Sequence, residues 1–257
     1  MKKRIIPVVL IDAGGKVVIS KRFDPWRTVG MLMQSLRMHD QRGADELLIL
    51  DINATKENRT LAARVLKIIS DNVRIPVTIG GGIRSLAVAK TYINSGADKV
   101  CLNSIVIDDF GILKKFSSSL GSQAVVVNIN YVWQDGCPRV YDYREKSILG
   151  VDFLKYVGNI IEYGAGEIVV TSVEEDGKLN GFDIRMIKYL DQLNLAVPII
   201  ISGGGGNSDH YLYALSQNLS GVTGGTIFSL TENTPQTLRQ ICRLNGLPMR
   251  EVEFKSC

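Results

Sequence analysis

The stretch Ile75-Pro76-Val77-Thr78-Ile79-Gly80-Gly81-Gly82-Ile83-Arg84-Ser85-Leu86 changes character twice. A short β-branched run meets three glycines, and a serine then precedes a segment of helical spacing that continues to Ser95. Strand, tight turn and helix together make one β-then-α unit. Half a chain later Val197-Pro198-Ile199-Ile200-Ile201-Ser202-Gly203-Gly204-Gly205-Gly206 repeats the strand and the turn, with the two prolines 122 residues apart. Gly43-Ala44-Asp45-Glu46 and Gly164-Ala165-Gly166-Glu167, each before an apolar strand, repeat at a distance of 121.

Outward from this unit, strand-length apolar runs recur at Ile5 to Ile11, Leu47 to Leu50, Val77 to Ile79, Val100 to Leu102, Ala124 to Ile129, Ile168 to Val170, Ile199 to Ile201 and, more weakly, Gly221 to Ile227. Helical spacing fills the intervals: Arg27 to Arg42, Leu61 to Asn72, Leu86 to Ser95, Phe110 to Leu120, Val151 to Tyr163, Ile184 to Asn194, Asp209 to Gln217 and Pro235 to Asn245. Continuous β-branched runs suit strands buried on both faces, as in a parallel sheet. Eight such units predict an α/β protein, a closed (β/α)₈ TIM barrel in one domain spanning 1–257, built from half-barrels of roughly 1–120 and 121–245.

Composition narrows the function classes. With 45% apolar and 22% charged residues the 257-residue chain reads as an ordinary soluble protein. No apolar run approaches the ~20 residues of a membrane span, and the start goes directly into a strand without a signal-peptide core, so a cytoplasmic location is expected. The formal charge of +4 is spread along the chain, which argues against a nucleic-acid partner but leaves phosphorylated small molecules open. Cys101, Cys137, Cys242 and Cys257 form no C-x-x-C pair, and His39 and His210 are the only histidines. Neither a metal site nor a cofactor is expected, and the cysteines are read as reduced thiols.

Gly80-Gly81-Gly82 and Ser202-Gly203-Gly204-Gly205-Gly206 each open onto a helix start, and the next strands end in Asn103-Ser104 and Gly224-Gly225-Thr226. Inward-turned amides at helix N-termini bind phosphate. Candidate phosphate residues are therefore Gly81, Gly82, Asn103 and Ser104 in one half and Gly203, Gly204, Gly225 and Thr226 in the other, suiting a ligand phosphorylated at both ends. The competing reading is that the glycines only make tight turns. At the opposite mouth Arg4, Glu46, Lys99 and Glu167 each stand just before an apolar strand. They could close the bore as a mutually neutralising ring or form a surface salt-bridge cluster.

Arg4-Ile5-Ile6-Pro7, Leu50-Asp51-Ile52-Asn53-Ala54, Gly80-Gly81-Gly82-Ile83, Gly96-Ala97-Asp98-Lys99-Val100, Gly121-Ser122-Gln123-Ala124-Val125-Val126-Val127, Gly164-Ala165-Gly166-Glu167-Ile168 and Asp176-Gly177 together resemble the cyclase subunit of imidazole glycerol phosphate synthase over nearly the whole chain. The resemblance implies a barrel that docks a glutaminase on its N-terminal face, receives ammonia through the bore and binds a doubly phosphorylated substrate at the other end. It assigns Arg4, Glu46, Lys99 and Glu167 to a charged gate, Thr78 to the channel wall, Asp98 and Gln123 to the partner interface, and Asp176 and Gly177 to the phosphate-binding residues.

The same resemblance exposes a departure. The family's cyclisation uses two aspartates, on the first and fifth strands, as general acid and base; here those positions hold Leu10 and Asn130, and an expected loop lysine falls on Ile19. Leucine has no exchangeable proton, and an amide is a poor acid–base group near neutral pH. Asp12, two residues beyond Leu10, is the candidate substitute. Lys21-Arg22-Phe23-Asp24-Pro25-Trp26-Arg27-Thr28-Val29-Gly30 resembles a branch associated with acetamidino modification of bacterial surface sugars. That branch implies an ATP-dependent sugar amidotransferase as a further partner. An active cyclase of histidine biosynthesis, a phosphate-sensing binding module and a sugar-phosphate isomerase are the alternatives.

Overall fold

The structure is a computed structural model and describes residues 2–250; Cys257 lies outside them. In chain order its elements are β1 (Arg4–Ile11), β2 (Lys16–Ser20), β3 (Trp26–Met31), α1 (Leu32–Gln41), β4 (Leu47–Asp51), α2 (Ala63–Asn72), β5 (Val77–Gly80), α3 (Leu86–Asn94), β6 (Lys99–Leu102), α4 (Ser104–Asp108) and α5 (Gly111–Leu120). After them come β7 (Val125–Gln134), β8 (Cys137–Asp142), β9 (Ser147–Asp152), α6 (Phe153–Glu162), β10 (Glu167–Ser172), α7 (Ile184–Leu193), β11 (Ile199–Ser202), α8 (Ser208–Ser216), β12 (Gly221–Gly224), α9 (Thr226–Leu230) and α10 (Pro235–Leu244).

Parallel pairing runs β1-β4-β5-β6-β7-β10-β11-β12 and returns to β1, which closes an eight-stranded barrel with helices between the strands. This is the expected (β/α)₈ fold. Strand alternation explains the continuous apolar runs. Ile5, Val9, Leu47, Ile49, Val100 and Ile168 face the helices in the main core. Their neighbours Ile6, Leu48, Cys101, Val126, Val169 and Ile200 form a separate apolar cluster within the barrel, so both faces of each strand are dry.

Four further strands were not anticipated. β2 and β3 form an antiparallel hairpin on the end of β1, and β8 and β9 form another on the end of β7. The helix expected from Arg27 therefore starts at Leu32, because Trp26–Met31 is drawn into the first hairpin. The helix expected from Val151 starts at Phe153, where the Asp152 carboxylate accepts from the Lys155 amide at 2.9 Å. The strand expected to reach Ile227 stops at Gly224, and α9 begins at Thr226. One hairpin had a readable signal: Asp135-Gly136, with φ of 51° and 77°, is the two-residue turn joining Gln134 to Cys137.

Candidate functional site

The N-terminal mouth is closed by charge. Arg4 pairs with Glu46 at 2.7 Å and with Glu167; Lys99 pairs with Glu46 at 3.1 Å and with Glu167 at 2.9 Å. Each carboxylate thus bridges both cations, and the four residues, standing at the starts of four strands spread around the barrel, make a neutral ring across the bore. Partial burial makes such charges costly unless paired, and here all four are. The Arg4 guanidinium is desolvated by burial, but the neighbouring Glu167 and Glu46 outweigh this and hold its pKa above the ordinary value. Thr78 is buried, one strand away and in register with Lys99. Asp98 and Gln123 are exposed on the same end of the barrel; Asp98 also accepts from the Val77 amide at 2.8 Å.

Above the ring lies the apolar cluster of the interior, and above that a cavity of about 600 Å³ opens at the C-terminal mouth. Its floor reaches Leu48 and Cys101, and its walls carry Leu10, Asn103, Asn128, Asn130 and Thr171. Thr171 Oγ1 donates to Asn128 Oδ1 at 2.7 Å, Asn128 Nδ2 donates to Asn130 Oδ1 at 2.9 Å, and Asn103 Nδ2 donates to the Asn128 carbonyl at 2.7 Å. Neutral amides and hydroxyls therefore join the strands along this part of the wall. Asn103 Oδ1 and Thr223 Oγ1 are buried in this wall without a partner among the described residues.

Asp12 does not reach the cavity. β1 ends at Ile11, and the Asp12 carboxylate turns back to accept from the Gly14 and Lys16 amides at 2.9 and 2.8 Å, shaping the hairpin turn. Ile19 lines the cavity from β2. Among the described residues, the carboxyl that lines the cavity free of a cationic partner is Asp176. Ser20 Oγ donates to it at 3.0 Å, and burial, offset in part by Ser20 and the Phe23 amide, pushes it up to about 6.

Both glycine turns reach the cavity with their expected companions: Gly81, Gly82, Asn103 and Ser104 in one half, Gly203, Gly204, Gly225 and Thr226 in the other, with Asp176 and Gly177 beside them. Gly82 and Gly204 hold φ of +65° and +102°, and a Cβ at either would strike a carbonyl oxygen, that of Arg59 or Gly181. The tight-turn requirement and cavity lining therefore coincide in the same residues. α4 and α9, each of five residues, start from Asn103 and Gly225.

Several residues of the mouth were not singled out from the sequence. Asp51 is held by Arg59 at 2.5 and 2.9 Å, a pair that braces the first turn. Lys56, Arg84 and Tyr143 also line the cavity, and the Ser104 hydroxyl donates to the Tyr143 hydroxyl at 3.3 Å. Asn128 and Thr171 could have been found by stepping two residues back from Asn130 and two forward from Val169, since alternate strand residues share a face. Among the described residues no cluster of His, Cys, Asp or Glu could hold a metal ion, and no helix is long and apolar enough to cross a membrane.

Comparison with known proteins agrees with this architecture. The family model described as histidine biosynthesis protein matches residues 4–234. The imidazole glycerol phosphate synthase subunit HisF of Exiguobacterium sp. (strain ATCC BAA-1283 / AT1b) is 35% identical over 99% of both chains. That of Streptococcus mutans is 35% identical over 97% of this chain and 100% of its own, and that of Pyrococcus furiosus is 31% identical over 97% and 99%. A closed eight-stranded barrel and matches along nearly its full length place this chain in the histidine biosynthesis protein family, among relatives of the cyclase subunit HisF.

Proposed function

We propose that this chain is the barrel subunit of a glutamine-dependent amidotransferase system. A glutaminase docks on the N-terminal face around Asp98 and Gln123, and ammonia passes the ring of Arg4, Glu46, Lys99 and Glu167. It then follows the apolar interior past Thr78 to the cavity. A dry passage favours neutral ammonia over ammonium, because an unpaired charge is expensive to bury. From the cavity the ammonia is handed to a separate ATP-dependent amidotransferase that builds an acetamidino group on a nucleotide-linked sugar for a surface polysaccharide. The glycine turns of the mouth hold phosphoryl groups.

One observation carries this reading: a complete charged ring at one end of the bore is combined with Leu10 and Asn130 at the other, where ring closure would need carboxylates. Forwarding ammonia requires the first feature and not the second. With a glutaminase partner, Lys99→Ala is expected to lower glutamine-dependent transfer more than ammonium-dependent transfer. Equal losses with both nitrogen sources would reduce the ring to a structural clasp.

A second reading, an active cyclase subunit, is favoured by the retained pair of glycine turns and by Asp176, a carboxyl at the cavity wall with no cationic partner among the described residues. Turnover of the phosphoribosyl substrate with ammonium salts, at a rate ordinary for cyclases, would establish it and displace the first.

A further inference from the structure

The 121-residue repeat aligns α1 (Leu32–Gln41) with α6 (Phe153–Glu162) residue for residue, so Ser35 corresponds to Tyr156 and His39 to Ile160. The short helices α4 and α9 correspond at an offset of 122, Ser229 standing in place of Ile107. On the side of the barrel where β6 pairs with β7, beside the first glycine turn, Tyr156, Ile160 and Ile107 pack into or against the core. On the side where β12 pairs with β1, the same places hold two serines and a histidine, and the cavity extends among them, with Trp26 on the hairpin side. β1 pairs with β12, which makes α1 and α9 neighbours, and the His39 ring meets Phe228 edge-on at 5.6 Å.

His39 is 4% exposed, and its Nδ1 has no hydrogen-bond partner among the described residues. A buried polar atom without a partner is destabilising, and this one belongs to a side chain that lines a cavity. Burial, helped by Arg42, pushes the imidazole down to about 4, so at neutral pH it offers one donor and one acceptor and no charge. Ser35, His39 and Ser229 are thus a neutral hydroxyl-reading set placed just past the second turn of Gly204, Gly225 and Thr226.

We infer that the second turn takes a phosphodiester, whose far substituent is a neutral hydroxyl-bearing group seated between α1 and α9 against His39, Ser35 and Ser229. A terminal phosphate monoester would end at the turn and leave the chamber without an occupant. The inference rests on the phosphate role of the glycine turns proposed above and adds the class of ligand at one of them.

The test is a titration of the purified chain, followed by amide and imidazole NMR shifts, with glycerol 3-phosphate as monoester and glycerophosphoglycerol as diester. The diester is expected to bind the second turn about tenfold more tightly than the monoester, shifting Gly204, Thr226 and the His39 ring. His39→Leu is expected to lower diester affinity about tenfold and leave monoester affinity unchanged. Trp26→Ala, at a site already 40% exposed, tests the same chamber without risk to the core and should weaken the diester alone. Equal affinity for both probes, or diester binding indifferent to both substitutions, would overturn the diester assignment. If neither probe shifts either turn, the phosphate reading itself falls and this inference with it, while the ammonia reading, judged by Lys99→Ala, stands or falls separately.

Discussion

The two mouths of the barrel solve opposite problems with the same strands. At the N-terminal end, four ionised side chains converge on the axis and neutralise one another. At the C-terminal end, the positions nearest the expected chemistry carry leucine together with asparagines and a threonine joined by neutral hydrogen bonds, and Asn103 Oδ1 and Thr223 Oγ1 have no partner among the described residues. Ionised side chains meet across the bore at one end, whereas neutral amides and hydroxyls join strands across the barrel wall at the other. A barrel that forwards a small neutral nucleophile can do without acids at its outlet, provided the inlet is controlled.

The strongest way to break this contrast is to put the carboxylates back. Leu10→Asp combined with Asn130→Asp is expected to raise the rate of cyclisation, assayed with the phosphoribosyl substrate and ammonium, by about 10² or more, the contribution typical of a positioned acid or base. No gain would mean that the difference between the mouths lies elsewhere than in these two positions.

Next in size is the ring. Lys99→Ala leaves Glu46 and Glu167 sharing Arg4 alone, and about 3 kcal/mol of stability is expected to be lost, as for other half-removed buried pairs. Urea unfolding of the variant measures it. A change within error would show that the ring is hydrated enough to tolerate the missing partner.

The smallest effect is a pair of opposed pH dependences at the outlet. Asp176 is raised from 3.8 to about 6, so between those pH values the folded chain holds more protons than the unfolded one and stability falls as pH rises. His39 is lowered from 6.5 to about 4, so its contribution is present above 6.5 and is lost as pH falls toward 4. The two slopes oppose each other over the same range. Asp176→Asn should therefore unmask stability that rises with pH, and His39→Leu stability that falls with it, in thermal melts between pH 4 and 6.5. Parallel, flat profiles for both variants would show that these groups titrate as they do in the unfolded chain.

Local pattern was enough for the barrel and for the placing of both mouths. β-branched runs with period-2 alternation assign each residue to the helix side or the bore side, so Arg4, Glu46, Lys99 and Glu167 at strand starts and the glycines at strand ends had to lie at opposite ends. Leu10 and Asn130 were equally legible, since their absence of acid–base chemistry belongs to the residue type. Asp12 was misplaced by the same reasoning, because strand alternation was carried one residue past the point where the backbone turns.

What the folded chain alone decided depends on groups distant in sequence. That Glu46 and Glu167 each bridge both cations, that Asn128 joins Thr171 to Asn130, and that Ser35 and His39 face a cavity where Tyr156 and Ile160 fill a core are consequences of barrel closure. Sequence period tells which side of a strand or helix a residue occupies. Which partner it meets there is set by how strands and helices from different parts of the chain pack together, and that packing chose between a pair and an unpartnered atom.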